Sequence, residues 1–208
     1  MNSKLKETIL NPILKGNPIT VLVLGICSSL AVTVELKGAL VMTLSVIVVT
    51  GVSSLICSLL RNTIPNRVRI IVQLVVVAMM VILVDQILKA FESTYAIDKS
   101  LSVYIGLIIT NCIVMGRIEA FALGNKVIPS LLDGISNGLG YGLILIIVAF
   151  LRELLGSGTI FGAQVIPDSL YNAGYVNNGL VILPPFALIL LGCIIWVHRS
   201  IDKTLQEK

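Results

Sequence analysis

The sequence predicts an all-α, polytopic membrane protein, and three observations carry that prediction. Apolar residues make up 56% of the 208-residue chain, charged residues 12%, and the mean hydropathy is +1.01; an ordinary soluble domain has about 25% charged residues. Several apolar runs reach the roughly 17–25 residues that a helix needs to cross a bilayer. None alternates apolar and polar residues as a barrel strand would, and backbone groups in lipid must be satisfied internally, which leaves helices.

Residues 1–18 read as a cytoplasmic N-terminal segment with Lys4, Lys6 and Lys15. No small-residue cleavage site follows its apolar stretch, so no removable signal peptide is expected. The first membrane run, residues 19–34, is short and stops at Glu35, Lys37 and Gly38. Residues 38–60 and 70–88 are full-length second and third spans. The fourth run, residues 101–115, is again short and stops at Gly116, Arg117 and Glu119. Residues 135–155 and 179–197 complete six crossings, the first and fourth interrupted. Pro184 and Pro185 are expected to kink the sixth helix, because proline removes a helical hydrogen bond and clashes with the preceding turn. Residues 200–208 form a cytoplasmic C-terminal tail.

With six crossings, eleven of the 15 Lys and Arg residues fall on the side of both termini, against Lys37, Lys89, Lys99 and Arg152 on the other. The positive-inside rule then places both termini in the cytoplasm. The net charge of +4 is a topology signal, and no nucleic-acid surface is expected. Residues 19–96 and 97–199 each supply three helices. An odd number makes the second repeat enter from the opposite face, so the two repeats are inverted. Leu60-Arg61 and Leu151-Arg152 occupy matching places near the ends of helices two and five.

Cys27 and Cys112 also occupy matching places, each in an apolar run that breaks just beyond it. Interrupted segments at corresponding points of two halves point to a functional site at mid-membrane. Across a pseudo-two-fold axis in the membrane plane, the two thiols approach from opposite leaflets and can meet. The plain alternative is that each cysteine is a small packing residue. Ionised thiolates in a low-dielectric interior need neutralising, and soft sulfur ligands select iron–sulfur clusters, zinc or copper(I). An iron–sulfur cluster usually takes four cysteines, so two at this depth would call for a second chain. Cys57 and Cys193 lie close to the cytoplasmic boundary and read as packing residues.

The remaining polar residues have structural readings beside functional ones. Gly134, Gly138, Gly140 and Gly142 suit close helix contact. Asp133 suits a helix start, with an ion ligand as its alternative. Asp85 and Lys89, at i and i+4, suit an ion pair along one helix face. Glu35, Arg117 and Glu119 place charge beside the broken segments, either capping half-helices or lining an ion path. His198, the sole histidine, follows Trp196 and reads as an interfacial anchor.

Three stretches carry a family resemblance: Leu-Gly-Ile-Cys27-Ser-Ser-Leu-Ala-Val-Thr33, Ile108-Ile-Thr-Asn-Cys112-Ile-Val-Met-Gly-Arg117-Ile-Glu119-Ala-Phe-Ala122, and Leu151-Arg-Glu-Leu-Leu-Gly-Ser-Gly158. Together with the Arg61-Asn-Thr-Ile-Pro-Asn66 loop, they resemble the family of D subunits of the Na+-translocating NADH:quinone reductase. The matching E subunits of the Rnf ferredoxin:NAD+ reductase are a more distant likeness. Ser28 favours the quinone-reductase branch, since Rnf relatives tend to have proline there.

The resemblance implies a membrane subunit of a six-subunit complex, paired with a homologous sister subunit of opposite topology. It implies an intramembrane iron–sulfur cluster, of the 2Fe-2S type, shared between the two, with Cys27 and Cys112 as this chain's ligands. NAD, FAD, FMN and quinone would be bound by other subunits, and electron passage would be coupled to Na+ export. The sequence itself holds no glycine-rich dinucleotide fingerprint. The rival reading, from the inverted halves alone, is a small secondary transporter with no metal.

Overall fold

The computed structural model describes residues 16–62, 64–65, 67–95, 104–160, 163–164 and 179–201. The predicted N-terminal segment up to residue 15 and the tail from residue 202 lie outside the described residues, as do Lys99 and residues 165–178. The described chain is helical apart from one pair of two-residue antiparallel strands, β1 (Thr159–Ile160) and β2 (Ala163–Gln164). Its helices are α1 (Ile26–Val32), α2 (Leu36–Leu60), α3 (Arg69–Tyr95), α4 (Cys112–Arg117), α5 (Val127–Gly156) and α6 (Pro184–Ile201). A π turn, Ile118–Ala122, follows α4, and a 3-10 turn, Gly179–Ile182, precedes α6.

Four of these helices are long and apolar enough to cross a membrane: α2, the Arg69–Ala90 part of α3, α5 and α6. The other two expected crossings are broken segments. Residues 17–25 turn on themselves, with Val21 N–H bonded to Asn17 O and Leu24 N–H to Pro18 O, before the seven-residue α1. Residues 104–111 likewise pass through i to i+3 turns before the six-residue α4.

The centre of the molecule is the antiparallel pair α2 and α5. Arg61, just past α2, donates to the carbonyl of Asn125 ahead of α5 at 2.6 Å. At the opposite end, the Leu36 amide that opens α2 donates to Glu153 near the end of α5 at 2.7 Å. Between these ties the helices touch through glycine. A Cβ on Gly134 would sit 2.9 Å from the carbonyl oxygen of Thr50, and one on Gly138 would sit 2.9 Å from the Cα of Ile47. Gly142 lies against Thr43 in the same row. The glycines are therefore a packing seam, as their spacing predicts. Met42, Val46 and Val49 of α2 and Leu145, Val148 and Ala149 of α5 are fully buried around it. On α3 and α6, Ile71, Val75, Met79, Ile189 and Trp196 stay exposed, an apolar surface suited to lipid.

Two sequence expectations are corrected. Pro184 does not kink the last helix: it opens α6, where a missing amide costs nothing because the first helical amides have no intrahelical partner. Asp133 does not start α5, which begins at Val127; it lies inside the helix, paired with Arg117. The helix thus opens eight residues before the expected span. The polar residues of its first turns are covered, with Ser130, Ser136 and Asn137 almost fully buried.

Candidate functional site: the Cys27 and Cys112 surface

Each cysteine lies at the beginning of a short helix, so its segment is broken ahead of it as well as just beyond it. Cys27 is the second residue of α1, whose preceding Gly25 adopts φ 79°. That left-handed backbone favours glycine, and there is no room for more: a Cβ would meet the Ile113 side chain at 2.6 Å and the Tyr141 ring at 3.0 Å. Cys112 is the first residue of α4, and Asn111 ahead of it caps the helix by accepting the Ile113 amide at 3.2 Å.

The two cysteine segments, 85 positions apart in the chain, are joined directly. The Gly25 amide donates to the sulfur of Cys112 at 3.3 Å. Behind the sulfurs, Ser28, which follows Cys27, accepts a hydrogen bond from Asn111, which precedes Cys112, at 3.1 Å. The Ser28 hydroxyl donates to the Gly25 carbonyl at 3.1 Å and lies 2.8 Å from the Tyr141 hydroxyl of α5. Ser28, Asn111 and Tyr141 are buried, whereas Cys27 and Cys112 are exposed. The thiols thus face outward from a buried polar support.

Two soft sulfur donors on one surface suit a thiophilic metal group. Among the described residues no three His, Cys, Asp or Glu side chains come together as a metal site. What the two cysteine segments offer such a group is a pair of exposed thiols. That donor chemistry and outward placement fit an iron–sulfur group completed by another chain.

Two of the three charges beside the breaks, Arg117 and Glu119, are paired. Arg117 grips Asp133 through two nitrogens and stacks 5.7 Å from the Phe121 ring centre. Asp133 also accepts from Asn137 at 3.1 Å. Glu119 pairs with Arg69 and accepts from Gln73 at 2.8 Å. The short α4 and its π turn are tied to α5 by the first set and to α3 by the second. Glu35 precedes α2 without a side-chain capping bond. Asp85 and Lys89 form the expected pair along α3, 2.6 Å apart.

At the other break, buried Arg152 donates to Leu30 O and Val181 O, each at 3.2 Å, and to Thr33 Oγ1 and Ile182 O. It fastens the end of α1 to the 3-10 turn. Cys57 is buried and Cys193 exposed, on α2 and α6 respectively.

Sequence reasoning paired Cys27 with Cys112 but gave no weight to Gly25, Asn111 or Tyr141. The positions flanking each cysteine could have signalled two of them; Tyr141, between Gly140 and Gly142, gives no local cue.

Residues 5–195 match the family described as Rnf-Nqr subunit, membrane protein. A protein of Aeromonas salmonicida, named as the D subunit of Na(+)-translocating NADH-quinone reductase, is 56% identical over 205 residues, covering 99% of this chain and 97% of the relative. Proteins of the same name from Photobacterium profundum and Pasteurella multocida are 55% and 54% identical, covering 98% and 99% of this chain and 96% and 98% of their own lengths. Broken membrane segments, paired cysteines and near-full-length similarity lead to one conclusion: the chain belongs to the Rnf-Nqr family of membrane subunits.

Proposed function

We propose that this chain is the D subunit of a Na+-translocating NADH:quinone reductase, an oxidoreductase complex that couples electron transfer from NADH to quinone with Na+ transport. Its part is to hold Cys27 and Cys112 as two ligands of an iron–sulfur cluster whose remaining ligands come from a homologous sister subunit. The observation that carries this reading is the direct joining of the two cysteine segments, Gly25 amide to Cys112 sulfur and Asn111 to buried Ser28, with both cysteines exposed. When bound, such a cluster supplies one-electron storage at an intermediate point of the chain.

The residues of this chain would do three things for that group. Cys27 and Cys112 hold it, the Gly25 amide donates to sulfur, and Tyr141, Ile113 and the α2–α5 seam keep water away from behind. A dry, low-dielectric surround strengthens each charge interaction at the site. No nucleotide or quinone site is assigned to this chain; NAD, FAD, FMN and quinone belong to other subunits.

The architecture supporting this role is a pair of inverted three-helix repeats, residues 19–96 and 97–199, in an inner membrane with both termini cytoplasmic. The reciprocal ties of α2 and α5 support it: Arg61 after α2 reaches the break before α5, and Arg152 near the end of α5 reaches the break before α2.

In the purified complex, Cys27→Ser and Cys112→Ser should each remove iron and acid-labile sulfide and reduce quinone reduction at least about a hundredfold, the scale of losing a metal's supporting shell or more. Variants that keep both metal and activity would sink the proposal in favour of a metal-free carrier.

A further inference from the structure

Tyr141 is fully buried on α5, a helix that carries neither cysteine, yet it reaches the junction of both cysteine segments. Ser28 Oγ is the hub of that junction. Its single hydrogen goes to the Gly25 carbonyl, so its two acceptor positions take the Asn111 amide and the Tyr141 hydroxyl. The carbonyl of Gly25 is thereby held from the inside, and the nitrogen of the same residue donates to Cys112 sulfur. Tyr141 also limits the space at Gly25 from below, since any Cβ there would lie 3.0 Å from its ring.

The geometry points to Tyr141 as a positioning residue for the sulfur site: through Ser28, its hydroxyl holds the Gly25 amide on Cys112 and so sets the reduction potential of the metal group. This rests on the proposed role of Cys27 and Cys112 as cluster ligands. Reduction adds negative charge to a cluster and its sulfurs, and an amide donated to a ligand sulfur stabilises that charge. Loosening the turn that aims the amide therefore lowers the potential. The alternative is a core tyrosine whose hydroxyl merely satisfies Ser28; its loss would affect stability and leave the potential unchanged.

The test is a redox titration of the cluster signal in the purified complex. Tyr141→Phe, which removes one oxygen, should retain iron and sulfide while the reduced-to-oxidised ratio at the wild-type midpoint falls roughly three- to tenfold, tenfold being about 59 mV for one electron. Ser28→Ala should lower it too, and the double variant should fall no further than the larger single effect, because both cut one chain of hydrogen bonds. An unchanged midpoint in either metal-retaining single variant, or additive shifts in the double, would overturn the inference.

A measurement on the unaltered complex guards against variants that do not assemble. With glycine labelled by 15N, the paramagnetic cluster should show a coupled glycine nitrogen; its absence would also overturn the inference. The two readings fail separately. A cluster signal that survives Cys27→Ser and Cys112→Ser refutes the ligand assignment, whereas a signal that needs both cysteines but ignores Tyr141 refutes only the positioning role.

Discussion

Arg117 shows what a charge beside a broken helix does in this protein. Its side chain is 17% exposed and that of its partner Asp133 only 4%, so the pair is largely withdrawn from solvent. Removing one member of such a pair strands the other charge, at a cost of about 3–5 kcal/mol, whereas replacing both by apolar groups is often neutral. Arg117→Met should therefore lower the unfolding temperature of the complex sharply, and Arg117→Met with Asp133→Leu should recover most of the loss in a double-mutant cycle. Equal losses in the single and double variants would contradict the pairing. Cys27 and Cys112 were legible from sequence because a thiol beside an interrupted apolar run is chemically conspicuous. The partners of Arg117 and Arg152 were not, since both arginines act across long sequence separations on oxygens that no local pattern marks.

Among the elements, α2 and α5 carry the architecture and their contact depends on the absence of side chains. At Gly138 the nearest obstacle is the backbone of Ile47, which no rotamer change can clear. Gly138→Ala should cost about 1–3 kcal/mol through forced separation of the helices, read as a lowered denaturation midpoint. The same change at Gly192 of α6, where nothing lies within 4 Å, should cost nothing from packing. The existence of the long apolar helices could be read from the sequence because their length alone decides, and α2 to within two residues, but α3 runs on to Tyr95 and α6 opens five residues later than expected. The start of α5 could not, since Asp133 has the chemistry of a helix cap until Arg117 is in place to pair with it inside the helix. Nor could the straight entry of α6, because a proline pair means a kink inside a helix and a good beginning at its edge.

Across the whole molecule, the ends of α2 and α5 are fastened reciprocally, by Ser58 and Arg61 at one extremity and Arg152 and Glu153 at the other. In the proposed orientation the Arg61 end is cytoplasmic. Reporter fusions after residue 62 and at the C-terminus should be active only with a cytoplasmic reporter, and fusions after Ser157 only with an exported one; the reverse pattern would refute the orientation. Overall class and lipid exposure were legible from hydropathy, whereas the docking of the broken segments arises from contacts between distant stretches. The π turn at Ile118–Ala122 adds a constraint of another kind. With Leu123 bonded back to Ile118, it holds one residue more than an α-helical turn would. Deleting a single residue there would shorten the path from α4 to the Asn125 carbonyl, which Ser58 and Arg61 hold in place. Over this bend the chain can change its letters far more freely than its count.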